Sequence, residues 1–264
     1  MKIAIGIEYD GSGFHGWQSQ PFGCTLQDAV EAAVSSIAGK ETEVSAAGRT
    51  DKGVHALAQV AHFDTDANRP LQAWVRGVNS LLPESIAVTW ARSVGEAFHA
   101  RHCALHRRYR YLLLNHPVRP GLSSGKVGWC HQMLDLEDMQ EGAGHLLGEH
   151  DFSAFRAAEC QANSPIRELR EIRIERHGRL FVFDISANAF LHHMVRNIVG
   201  SLVFVGMGKF GPEWMGELLA SRNRTLAAPT FSPCGLYLAE VGYDPKWGLP
   251  EPADLGMQNF LGRA

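Results

Sequence analysis

The sequence predicts an α+β protein built as two halves, on three observations. Stretches that alternate apolar and polar residues bound two segments of helical spacing in the first hundred residues. The resulting order is β-α-β-β-α-β, the split β-α-β arrangement. A comparable series of strands and helices follows a basic connector at Phe98–His106, which places a domain boundary near residue 104. The expected layout is therefore 1–104, 105–244 and an irregular, proline-marked tail over 245–264.

Each element has a local reason. Residues 2–9 alternate well enough for a strand. Gly11, Gly13 and Gly16 then form a literal Gly-x-Gly-x-x-Gly, but Pro21 blocks the helix a dinucleotide fingerprint needs, so the motif is rejected. The stretch is expected to be a flexible loop carrying Phe14 and Trp17 toward a neighbour or ligand. A helix starts after Thr25, with Leu26, Val30, Ala33, Val34 and Ile37 as its apolar stripe and Gly39 at its end. Glu43–Ala47 and Val54–Phe63 read as strands around a polar loop. A second helix follows Pro70 with Leu71, Trp74, Val75, Val78, Leu81 and Leu82 inward, and Ile86, Val88 and Trp90 alternate as a strand.

In the second half, Arg108–Leu114 is a strand with Tyr109 and Tyr111 on one face and Arg108 and Arg110 on the other. Residues 117–128 are a loop. A helix capped by Asp135 carries Leu136, Met139, Ala143, Leu146 and Leu147 inward. Ile166–Glu175 and Leu180–Ser186 form a hairpin through His177-Gly178. A helix over Ala189–Val205 has Leu191, Met194, Val195, Ile198, Val199 and Leu202 as one stripe, with Arg196 opposite. A short helix at 212–220 and a closing strand at Leu236–Val241 complete the half.

Composition excludes several function classes. The N-terminus meets acidic residues too early for a signal peptide, and the longest apolar run, Ile198–Gly208, is too short to span a bilayer. Five scattered cysteines without a Cys-x-x-Cys pair argue against a disulfide or zinc framework and for a reducing, cytoplasmic setting. There is no Walker loop, Gly-x-Ser-x-Gly or His-Glu-x-x-His, so no cofactor or metal is called for. A net charge of −3 means that any grip on nucleic acid must come from a local basic face. Arg101, Arg107, Arg108 and Arg110 supply one, with Tyr109 as an aromatic plane for a base.

The stretch richest in chemistry is Gly48-Arg49-Thr50-Asp51-Lys52-Gly53-Val54-His55-Ala56. Two glycines frame one carboxylate with basic neighbours, which suits a rigid turn presenting an ionised Asp51. It resembles the catalytic motif of the bacterial tRNA pseudouridine synthase A family. Glu8-Tyr9-Asp10-Gly11 with Gly16-Trp17-Gln18, Phe98-His99-Ala100-Arg101 with Arg107-Arg108-Tyr109-Arg110-Tyr111, and Phe190–Asn197 are similar to that family's other motifs, in the same order.

The resemblance implies a pseudouridine synthase fold: two ferredoxin/RRM-like halves joined through a shared, mainly antiparallel sheet, helices on one side, and a central cleft holding Asp51. It implies isomerisation of uridine in the anticodon stem-loop at tRNA positions 38–40, without cofactor, by a homodimer. It makes Asp51 the nucleophile, Tyr109 the stacking partner of the uracil, Arg49 a holder of the flipped nucleotide and Arg196 the cation that keeps Asp51 ionised. The competing class is a non-catalytic RNA-binding module, which has no use for a carboxylate near phosphate.

Overall fold

A computed structural model describes residues 1–251. The chain is α+β and forms two compact units, Met1–Leu105 with the segment from Tyr237 onward, and His106–Leu236. No helix among the described residues is long and apolar enough to cross a membrane.

In the first unit the strands β1 (Lys2–Tyr9), β2 (Ser45–Ala46), β3 (His55–Asp64), β4 (Ile86–Val94) and β10 (Leu236–Tyr243) lie in the order β4-β1-β3-β10, with β2 beside β3. Strand β1 (Lys2–Tyr9) is central, and Ile3, Ala4, Ile5 and Ile7 are all buried because both its faces are covered. Helix α1 (Leu26–Ala38) starts where the Thr25 hydroxyl accepts the Asp28 N–H at 3.2 Å and ends at Gly39, in the left-handed region. The expected Glu43–Ala47 strand shrinks to β2 (Ser45–Ala46), which pairs with β3 (His55–Asp64). The second helix takes π register over Ala73–Gly77. Trp74 and Val78 are buried as expected, but Leu81 is half exposed, since the wider turn rotates later residues off the 3.6 period. In β4 (Ile86–Val94) the pairing skips a residue between Val88 and Trp90. That bulge replaces Trp90 by Ala91 in the buried phase, and Trp90 covers Gly6 instead.

Two further expectations change here. Trp17 does not reach outward: it is 2% exposed and packs 5.9 Å from the Tyr9 ring. The last strand, β10 (Leu236–Tyr243), assigned by sequence to the second half, runs parallel to β3 with Tyr237 opposite His55, and from Tyr237 it is part of the first unit. The start of the tail is ordered as a turn at Pro245–Trp247, with Trp247 edge-on to Phe98 at 5.3 Å. Residues 252–264 lie outside the described residues.

In the second unit the order is β5-β9-β8-β7, with β6 beside β5. These strands are β5 (Ala104–Asn115), β6 (Gly128–Cys130), β7 (Gly148–Asp151), β8 (Ile166–His177) and β9 (Leu180–Ala187). Strand β7, Gly-Glu-His-Asp, was not anticipated, because it carries no apolar alternation to signal it. Helix α2 (Leu136–Gly144) is capped by Asp135, whose carboxylate accepts the Asp138 N–H at 3.1 Å. Leu147, expected inward, is exposed because the helix has already ended.

Helix α3 (Met194–Gly206) begins five residues later than its periodicity suggests. His193 adopts a left-handed conformation, φ 61°, which stops the helix from extending back to Ala189. Its surroundings also differ from a one-stripe helix. Every residue from Met194 to Gly206 except Arg196 and Phe204 is buried, including Asn197 and Ser201. Helix α4 (Trp214–Ser221) adds Met215 and Leu218 to the core.

His62 on β3 gives the first unit a titratable core group. It is 6% exposed, its Nδ1 accepts the Ala100 N–H at 3.2 Å, and the His99 ring lies 4.7 Å away. Burial, with His99 and Lys2 nearby, pushes its pKa down to about 4. The folded value is below the unfolded one, so the folded chain binds fewer protons. Stability is then complete above pH ~6.5 and falls toward pH 4, by up to about 1 kcal/mol per pH unit. Urea midpoints measured from pH 7 to 4.5 are expected to fall less steeply for His62→Asn, whose Oδ1 replaces the acceptor without titrating. Equal slopes for the two proteins exclude His62 as the source.

Candidate active site

The Asp51 loop is held from below and from the side by its own unit. Ala47 N–H donates to Val60 O at 2.7 Å, which anchors the entrance to β3. Val54 N–H donates to Asp51 O at 3.1 Å, closing the turn, and Gly53 supplies the positive φ of 79° that this turn needs. Trp17 N–H donates to Thr50 O at 2.9 Å. The preceding Gly16 has φ 97°, and a Cβ there would lie 2.8 Å from Thr50 O. The third glycine of the rejected fingerprint therefore serves close backbone approach to the Asp51 turn. Gly11 N–H donates to His55 Nδ1 at 3.1 Å, so the 10–17 loop braces the Asp51 loop at both ends. His55 is buried and stacks on Tyr237, ring centroids 4.6 Å apart.

Beneath the loop is a buried polar chain that sequence reasoning missed. Tyr9 Oη and Thr50 Oγ1 are 2.8 Å apart, and Gln59 Nε2 donates to Gly48 O at 2.7 Å. The available signal was Gln59 itself, a polar residue inside the apolar run of β3. Asp51 is half-buried, while Arg49 and Lys52 are exposed beside it.

The second unit carries the aromatic and basic candidates. Tyr109 on β5 is 9% exposed and sits edge-to-face against Phe190, 5.1 Å and 89°. Tyr111 is fully buried, donates its hydroxyl to Ser232 O at 2.8 Å, and has its ionisation pushed upward by burial, which assigns it to the core. The alternation of β5 places Arg108 and Arg110 on the opposite face, where partners meet them. Arg110 makes a two-pronged pair with Asp184 directly across the β5–β9 ladder, 2.9 and 3.2 Å. Arg108 pairs with Glu171 at 2.8 Å. Arg107 Nη1 donates to Asn188 O at 3.2 Å. Arg196, in the first turn of α3, donates from Nε to Phe231 O at 2.8 Å.

Arg101 belongs to the first unit and is exposed; its backbone N–H donates to His99 Nδ1 at 3.1 Å. The structure thus brings Asp51 and Arg49 together in one unit and places Tyr109 and Arg196 in the other. It also shows Arg108 and Arg110 engaged with carboxylates, so neither is an uncommitted cation for phosphate.

A family model described as tRNA pseudouridine synthase matches residues 5–102 and 143–244. The chain is 61% identical to tRNA pseudouridine synthase A of Dechloromonas aromatica, covering 99% of this chain and all of that one. It is 59% identical to the same-named protein of Thiobacillus denitrificans, covering 96% and 98% of the two chains. A chain of a solved Cbf5-Nop10-Gar1 complex aligns over 90% of this chain and 49% of that one at 13% identity and TM-score 0.40. The family model and the two relatives define an isomerase class. The chain belongs to the tRNA pseudouridine synthase family.

Proposed function

We propose that this protein isomerises uridine to pseudouridine in the anticodon stem-loop of tRNA, at positions 38–40, with Asp51 as the nucleophile. The observation that carries the reading is a single carboxylate presented by a braced turn, within a chain matched to the family along nearly its whole length. The reaction breaks the N1–C1′ bond, turns the uracil and forms a C5–C1′ bond. C5 loses its proton to solvent and N1 regains one, so atoms balance and no oxidant or metal is required. The duplex hides the base, so the target must leave the stack, and an aromatic plane with nearby cations suits a flipped nucleotide.

In this reading Tyr109 stacks on the uracil, Arg49 holds the flipped nucleotide, and Arg196 keeps the carboxylate ionised and oriented. Arg101 and Arg107 are assigned to the RNA backbone. Arg108 and Arg110, drawn into internal ion pairs, serve the β5 ladder first. The resemblance further supports a homodimer acting in the cytoplasm.

The test is tritium release from tRNA carrying 5-³H-uridine, since C5 must lose its hydrogen when it becomes the glycosidic carbon. Release above background supports the reading. Intact tRNA binding without release points instead to a non-catalytic RNA-binding protein. In the same assay Tyr109→Ala is expected to weaken base capture by roughly 1–3 kcal/mol in kcat/KM, with Tyr109→Phe restoring most of it. Unchanged kcat/KM in the alanine variant removes the stacking role.

A further inference from the structure

We propose that Tyr9, Thr50 and Gln59 form a positioning device that sets the aim of the Asp51 carboxylate, an inference that rests on Asp51 being the nucleophile. A nucleophile displaced by a fraction of an ångström loses much of its rate, so the residue before it must be as fixed as a core residue. Thr50 meets that demand. It is 6% exposed, its backbone carbonyl accepts the Trp17 N–H at 2.9 Å, and its hydroxyl meets Tyr9 Oη at 2.8 Å.

Tyr9 is fixed in turn. It is 5% exposed, lies against Trp17, and its oxygen is 3.4 Å from Gln59 Nε2. Gln59 is fully buried, and the same amide nitrogen donates to Gly48 O at 2.7 Å. The proton inventory fits this chain. The two amide hydrogens of Gln59 serve Gly48 O and Tyr9 Oη, and either hydroxyl can donate in the bond between Tyr9 and Thr50.

Register explains why a tyrosine on β1 can serve a loop that enters β3. The β1–β3 ladder pairs Ile7 with Gln59 and then Tyr9 with Ala56, so β3 carries one extra residue. Such a bulge re-aims the side chains beside it. The chain therefore grips the loop at Gly48 and Thr50, on either side of exposed Arg49, and ends one residue before Asp51. Buried polar networks of this sort specify one geometry, because any alternative leaves a donor or acceptor unpaired.

The experiment measures single-turnover tritium release and tRNA affinity for Tyr9→Phe, Thr50→Val, Thr50→Ser and the Tyr9→Phe/Thr50→Val pair. Tyr9→Phe and Thr50→Val are each expected to slow release about tenfold or more while the tRNA Kd stays within about twofold. Thr50→Ser, which keeps the hydroxyl, is expected to remain near wild type. The pair is expected to lose little beyond the worse single variant, since both remove the same link. Wild-type release rates in folded Tyr9→Phe and Thr50→Val, or losses that follow Kd, overturn the proposal. If Tyr9→Phe does not fold, Thr50→Val against Thr50→Ser decides alone, and equal rates for those two overturn it. Absence of release by the wild-type protein sinks the functional reading itself; release by the wild type matched by Tyr9→Phe sinks only the positioning device.

Discussion

Asp51→Asn is expected to lower tritium release by about 10⁴-fold or more while tRNA affinity stays within a few-fold. The substitution keeps shape and volume and removes only the ionised oxygen. Three contacts that hold the loop do not involve the carboxylate and persist in the variant: Val54 N–H to Asp51 O, Trp17 N–H to Thr50 O, Gln59 Nε2 to Gly48 O. The loop should therefore keep its path, and a loss of turnover reports chemistry. Filter binding and single-turnover release on the same tRNA check the two arms. A variant that loses binding and release in parallel marks Asp51 as a structural or RNA-contact residue. A variant that keeps its rate ends the nucleophile assignment.

Asn197→Ala is expected to destabilise the protein by about 2–4 kcal/mol without any contact of its own to RNA. Asn197 is fully buried in α3, and its amide nitrogen donates to Phe155 O at 2.7 Å. Its amide oxygen accepts from Arg224 Nη2 at 3.0 Å and from Thr230 Oγ1 at 2.8 Å. One side chain thus satisfies a carbonyl, a hydroxyl and a guanidinium whose charge burial already disfavours. Alanine strips the Phe155 carbonyl of this donor inside the core, where water does not replace the lost bond cheaply, while half-buried Arg224 and Thr230 lose their shared acceptor but keep the 3.1 Å bond to each other. The expected fall in melting temperature is roughly 5–15 °C. Asn197→Leu should be no better, since it restores volume but no hydrogen bond. A melting curve unchanged in both variants shows that the surrounding groups re-pair on their own.

Much of the local architecture was readable because it depends on neighbours in sequence. Thr25 and Asp135 were identifiable as helix caps, since a cap is a bond across three residues. The β8–β9 hairpin followed from two apolar runs around a turn, although the turn is Gly178-Arg179, one residue later than His177-Gly178, because His177 still pairs with Leu180. The face of β5 that buries Tyr109 and Tyr111 followed from a period of two. Expectations failed where one residue shifts phase: the bulge between Val88 and Trp90, the π register at Ala73–Gly77, and left-handed His193 ahead of α3. Such irregularities are stabilised by packing against other elements, and periodicity carries no trace of them. Strand β7 escaped for a related reason, since Gly-Glu-His-Asp makes a strand only because β8 offers a ladder edge.

The candidate site divides along the same line. Residue type and order alone singled out Asp51, with its two glycines and Arg49, because the chemistry of one framed carboxylate is local to nine residues. The sequence likewise marked the Tyr109 strand as aromatic and basic. What holds Asp51 in place was decided only in three dimensions. Tyr9, Trp17 and Gln59 come from three separate points of the chain, and they meet under one loop because β1 and β3 pair as they do. The commitment of Arg108 and Arg110 to Glu171 and Asp184 is likewise a product of strand register. Sequence determines which groups are available, whereas hydrogen bonds and charges act over a few ångströms, so the folded chain alone determines which of them meet.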